Sequence, residues 1–276
     1  MAAASPPPAA LPSAAASPAT PPPPAPSAPP PRAPRAAELR DEGTARRDSV
    51  DADRWTAHGT VKVTGDVQVG DARLEGSVSV GGKFGATSLS SKGALDVGGA
   101  TEVRGALSSS GDLRVSSTLH AVEATLRGSV RVGGAVAVDR LLSVHGSVEA
   151  PALSAGAIVL EGEANVPGDV SAQSVTTRLS SDSKFGTIRA KQVDLRAKVP
   201  NLVEKVLLKR VTVTARRVEG DSVGIEGASV AFVRSPRISL GRDAHVTEFE
   251  GTIVRRHPTS RVGYESKSPP PYGLRR

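Results

Sequence analysis

The chain of 276 residues has no cysteine, which excludes a disulfide framework and any thiolate metal site. Aromatic residues make up 3% of it, with a single tryptophan, Trp55. A globular core of this length normally leans on large rings, so so few of them point to a narrow interior filled by small and β-branched side chains. No run of about 18 apolar residues is present to cross a membrane as a helix, and the apolar-x-apolar strands are too short for a membrane barrel. These absences lead us to expect a cytoplasmic protein, with association to a membrane left open.

What is present is a repeat. The phrase Gly-x-apolar-x-apolar occurs at Gly59–Val63, Gly76–Val80, Gly93–Val97, Gly111–Val115, Gly128–Val132 and Gly146–Ala150, at intervals of 17 or 18 residues. After a gap of 22 it resumes at Gly168–Ala172 and Gly186–Ala190. Inside the repeat, apolar-x-apolar pairs recur every six residues, as in Ala124/Leu126, Val130/Val132, Val136/Val138, Leu142/Val144 and Val148/Ala150. Period-two alternation sends both members of a pair inward and the residue between them (Thr125, Arg131, Ala137, Ser143, Glu149) outward. Three such strands and three corners close one coil and return the chain above its start. The spacing therefore predicts an all-β fold, a β-solenoid of about 18 residues per coil and roughly 11 coils, with Leu126 stacked on Val144.

The flanks differ in composition. Residues 1–54 hold 14 of the 22 prolines and are expected to be a disordered Ala/Pro-rich arm. Trp55 marks the expected start of order, as a cap on the open first coil; the solenoid is then expected over 55–254. Residues 255–276 read as a basic, Pro-containing tail, in which Pro269-Pro270-Pro271-Tyr272 has the form of a polyproline ligand for a WW module. Residues 203–211 lack the glycine phrase and read either as a short helix or, by preference, as an imperfect coil.

Charge is divided between the halves. Residues 55–183 carry 10 basic and 13 acidic side chains, whereas 184–276 carry 19 basic and 9 acidic. If the coils stack, Arg189, Lys191, Lys209 and Arg210 form a ladder that suits a polyanion such as DNA or anionic lipid; the competing reading is a solvated face.

Chemistry has few candidates. The histidines His58, His120, His145, His245 and His257 do not share a metal-site spacing and read as isolated surface residues. Gly81-Gly82-Lys83 lacks the Ser/Thr and the first glycine of a phosphate loop, and Ser181-x-x-Lys184 is a short match in a serine-rich chain. The expectation is no enzyme and no cofactor, with a solenoid enzyme lacking a recognisable site as the third reading.

The phrases Gly146-Ser-Val-Glu-Ala-Pro-Ala-Leu153, Gly168-Asp-Val-Ser-Ala-Gln-Ser-Val175 and Gly186-Thr-Ile-Arg-Ala-Lys-Gln-Val193 resemble the coils of bactofilins, a family of polymer-forming cytoskeletal proteins. The Pro-rich flanks are similar as well. The resemblance implies a right-handed triangular β-helix that polymerises end to end without nucleotide. It also implies a scaffold role, with itself as first partner and other cytoskeletal, cell-envelope or chromosome-associated proteins as further ones. Met1-Ala-Ala-Ala-Ser5 lacks the apolar membrane-targeting peptide of many members. An uncapped solenoid leaves unpaired backbone groups at its ends, so Val246, Phe249 and Ile253 in the last strands are the expected polymer contact, with Trp55 opposite them if last coil meets first.

Overall fold

The computed structural model describes residues 36–197 and 211–265, and every regular element among them is a β-strand. In order these are β1 (Ala36–Arg47), β2 (Val50–Val63), β3 (Val67–Val80), β4 (Phe84–Val97), β5 (Thr101–Val115), β6 (Leu119–Val132) and β7 (Val136–Glu149). Then come β8 (Leu153–Leu179), β9 (Ser183–Ala197), β10 (Val213–Glu219), β11 (Ser222–Glu226), β12 (Ala228–Leu240), β13 (His245–Arg256) and β14 (Arg261–Glu265). All pairings are parallel, each strand lying on the next in sequence except that β10 and β11 both sit between β9 and β12. Parallel pairing at a fixed offset is what a coiling chain produces, since each turn runs in the same direction as the one beneath it. The protein is a parallel β-solenoid of about 13 turns with a coil of about 17 residues.

A regular coil buries three apolar-x-apolar pairs, with Ser91, Thr101 and Ser109 taking inward places in β4 and β5. In β3 the pairs are Val67/Val69, Ala72/Leu74 and Val78/Val80, all at 2% exposure or less. The residues between them face solvent, as the alternation predicts, and Leu126 pairs with Val144. Intervals of 17 and 18 are reconciled at one corner: the register shifts at Ala86/Leu89, Val103/Ala106 and Ala121/Glu123 all fall between the first and second pairs of a coil. A corner can lose or gain a residue without moving the inward-facing sets on either side.

The glycine phrase has a steric cause. Gly43, Gly59, Gly76, Gly93, Gly111, Gly128, Gly146 and Gly162 stand in one column, with φ between 73° and 139°. From Gly59 onward, a Cβ at any of them would collide with the carbonyl oxygen of the glycine one coil earlier. The apparent gap of 22 residues is thereby explained. Gly162 holds the column, 16 residues after Gly146, while Gly168 lies six further on at the next corner, where its N–H donates to Pro151 O. The phrases at Gly146 and at Gly168 thus occupy different corners, and only the first belongs to the positive-φ column.

Three expected boundaries shift. Order does not begin at Trp55: β1 and the first part of β2 lie upstream of it, so residues 36–54 belong to the solenoid rather than to an arm. The coils also run past residue 254, through Arg256 and on to β14. Finally, no coil intervenes between β9 and β10, since Ser183 pairs with Val213 and Ile188 with Val218, an offset of 30. The imperfect coil expected at 203–211 falls almost wholly on residues 198–210, which are outside the described residues. Later coils tighten to offsets of 15 and 16, which with the earlier start raises the turn count above 11.

Two buried hydroxyls, Thr101 Oγ1 and Ser109 Oγ, have no hydrogen-bond partner. Thr101 stands in register between Phe84 and Leu119, in a column otherwise apolar.

Candidate functional site

The two ends of the solenoid differ in chemistry. At the first coil, Asp41 occupies an inward position, in register with Ala57 of the next coil, and is 4% exposed. A carboxylate there is tolerable only if its oxygens are bonded. Arg47 Nε donates to both of them at 2.9 and 3.0 Å, Arg47 Nη2 donates to Oδ1 at 2.7 Å, and Trp55 Nε1 donates to Oδ2 at 2.9 Å. Burial pushes the Asp41 carboxyl up, but the hydrogen bonds from Arg47 and Trp55 and the guanidinium charge outweigh it and hold the group below its ordinary 3.8. The same pairing raises Arg47. Trp55 itself is fully buried beneath β1, its ring 6.4 Å from that of Phe84. It is a core residue one coil in from the end, so the arrangement that sets Phe249 against Trp55 has no surface on which to form. At the first coil the half-buried apolar residues are Leu39 and Ala45.

The last coils end on apolar side chains. Val246 is buried, while Phe249, Ile253 and Val262 pack against the core with part of their surface open. Strand β14 covers β13 only from His245 to Phe249. Beyond that, Gly251–Arg256 has no following strand among the described residues, and Val254 is 57% exposed. Tyr264, 61% exposed, donates from its hydroxyl to Glu248 at 3.3 Å. The expected contact residues Val246, Phe249 and Ile253 are therefore gathered at one end, graded from core to surface. The tail motif Pro269–Tyr272 lies outside the described residues.

The basic ladder is largely neutralised where it can be seen. Arg189 is bracketed by Asp169 at 3.3 Å and Glu219 at 3.2 Å. Burial pushes Glu219 up, yet hydrogen bonds from Arg217 and Arg189 hold it below its ordinary value. In register, Arg189, Glu219, Arg234 and Glu250 alternate in sign, and Arg234 meets Glu250 at 3.4 Å. Arg217 also stacks over Phe232, 4.6 Å from the ring centroid. Lys191 is exposed; Lys209 and Arg210 are outside the described residues.

The histidines are not isolated. His58 meets Glu75 at 3.2 Å, His120 meets Asp139 at 3.3 Å, and His145 meets Glu161 at 2.9 Å, each pair spanning adjacent coils. His245 approaches Ser229 and His257 approaches Thr259. No cluster of three metal-ligating side chains exists among the described residues. The Gly81-Gly82-Lys83 corner binds inward, with Gly82 N–H donating to Gly65 O and Lys83 N–H to Asp66 Oδ1. In Ser181-x-x-Lys184 the ordered hydroxyl is that of buried Ser183, which accepts from Ala164 N–H and donates to Ser181 O. One cluster was missed by sequence reading. Ser143 Oγ lies 3.2 Å from His145 Nε2, whose Nδ1 faces Glu161 Oε2. The i, i+2 spacing of Ser143 and His145 hinted at it, but Glu161 joins them only through the coil offset.

Fold and surface together define a β-solenoid repeat protein. Comparison with protein-family models, curated proteins and solved structures finds no match for this chain.

Proposed function

We propose that this β-solenoid is a structural scaffold that associates end to end into filaments without a nucleotide, in the manner of the bactofilin-like proteins its repeat resembles. The observation that carries the reading is the last coil: an apolar interior finishing on half-open Phe249, Ile253 and Val262 beside the edge Gly251–Arg256, which has no following strand among the described residues. A sheet edge with apolar neighbours gains by pairing with another chain, and a second copy supplies the same surface in reverse. A filament also needs a second contact, since one two-fold contact alone stops at a dimer. Among the described residues, the β1 edge with Leu39 and Ala45 is the surface remaining for it.

On this reading the work of the protein is mechanical, in the cytoplasm, with its own copies as first partners and cell-envelope or chromosome-associated proteins as clients. Negative-stain microscopy of the purified full chain without nucleotide is the test. Filaments support the scaffold, and uniform single rods at high concentration overturn it. Polyanion binding, the rival, rests on Lys191 alone among the described residues of its proposed set, with Arg189 already paired. Binding to DNA at about 0.15 M salt that is lost in Lys191→Gln would restore it.

A further inference from the structure

We propose that Ser143, His145 and Glu161 form an acyl-transfer triad, open to solvent, that accepts the acyl group of small activated esters. The proposal is independent of the scaffold reading. Leu142 and Val144 are buried, which turns Ser143 and His145 to the same outer side of β7, two residues apart. The coil offset sets Glu161 of β8 beside His145. Ser143 Oγ lies 3.2 Å from His145 Nε2 and Glu161 Oε2 lies 2.9 Å from Nδ1; with the proton on Nδ1, the hydroxyl donates to Nε2 and Nδ1–H donates to the carboxylate. In that tautomer the imidazole has its acceptor nitrogen on the hydroxyl and its donor nitrogen on the carboxylate, as nucleophilic catalysis by serine requires.

The neighbours in register complete the surroundings. Arg127, in register with His145 one coil earlier, has no carboxylate partner among the described residues and is the cation this proposal assigns to the charge that grows on the carbonyl oxygen. Val159, one coil after Ser143, is half-buried and gives a short acyl chain an apolar seat. The His145 and Glu161 side chains keep 41% and 38% of their surface, so the site has no walls and selects for small, reactive esters rather than bulky ones.

The step balances without a co-reactant. Ser143 Oγ forms a bond to the acyl carbon while its proton passes to His145 Nε2; the bond to the leaving oxygen breaks and that oxygen takes the proton from His145. Water then attacks the acyl-serine by the same route, releasing the acid and restoring the hydroxyl.

The test is para-nitrophenyl acetate with the full-length protein, following nitrophenolate release and locating acetyl groups by peptide mass spectrometry. Exposed Lys83, outside the triad, serves as the internal control for background acetylation. We expect one acetyl group on Ser143 ahead of Lys83, with nitrophenolate release continuing past one equivalent. His145→Gln should lower Ser143 acetylation about a hundredfold, with circular dichroism and Lys83 labelling unchanged. Glu161 is a positioning residue, acting through the imidazole. Glu161 also meets Arg178 of the following coil at 3.7 Å; Glu161→Gln should lower Ser143 acetylation and Glu161→Asp should restore part of it, with Lys83 labelling unchanged in both. A Ser143 that stays unlabelled while Lys83 is acetylated, or that is labelled equally in His145→Gln, overturns the proposal.

Discussion

At the residue scale, the interior of the solenoid is a place where one atom decides the outcome. Val132 is 4% exposed, whereas Arg131 beside it faces out and meets Glu149 of the next coil at 3.2 Å. Val132→Asp should cost several kcal/mol, or about 3–5, by burying an unpaired charge. Arg131→Asp loses a surface ion pair and sets two acids together, at a cost of about 1 kcal/mol or less; urea denaturation of both variants checks the contrast. Thr101→Val should have the opposite sign, stabilising by about 1 kcal/mol, because it swaps an unpartnered hydroxyl for a methyl of equal shape. Asp41 carries a pH dependence. Its folded carboxyl titrates below its ordinary 3.8, so the stability it adds is fully present above that value and is lost as pH falls through the lower, folded one. Amide exchange in β1 should therefore speed up relative to β5 as the solution is acidified below about pH 4, and Asp41→Asn should remove most of that difference.

At the element scale, the coil is held in shape by its corners. The glycine column exists because carbonyl oxygens of one coil fill the space that a Cβ in the next would need. Gly93→Ala therefore meets both a strained φ of 112° and the Gly76 carbonyl, and should destabilise by well over the ~1–2 kcal/mol that the left-handed backbone alone costs. Gly43→Ala, with φ 73° and nothing near its Cβ, should cost only about that backbone term. Equal thermal shifts for the two variants would show that crowding between coils is not what keeps the column glycine. The offset of 30 between β9 and β10 shows that parallel pairing keeps its register even where the sequence distance between paired strands is far from one coil length.

At the scale of the whole molecule, the two ends set what assembly is possible. One end closes its interior with the Asp41–Arg47 ion pair, and the other leaves Phe249, Ile253 and Val262 half-covered. Phe249→Arg should leave the strand signal in circular dichroism intact while sedimentation shifts from polymer to monomer or dimer, since a guanidinium desolvated at a joint has no counter-ion. Polymers that persist in this variant would place the joint elsewhere. A lost fold would make Phe249 a core residue.

The sequence by itself determined the class of fold. A period of two inside a period of six inside a period of 17 to 18 admits no other closure, so the inward sets around Val61, Leu126 and Val132 were legible without coordinates. What it hid were features set by register between coils. Asp41, Arg47 and Trp55 look like charged arm and cap when read along the chain; stacking alone makes them one buried network, which is why the start of order was placed too late. The shift of the glycine phrase from one corner to the next was invisible because Gly168 and Gly186 carry the same local phrase as Gly146 without its positive φ. The ladder Arg189–Glu219–Arg234–Glu250 joins residues 15 to 30 apart and Glu161 meets His145 from 16 residues on, offsets that vary with each corner. Local alternation states which way a side chain points; only the offset of each turn decides what it meets there.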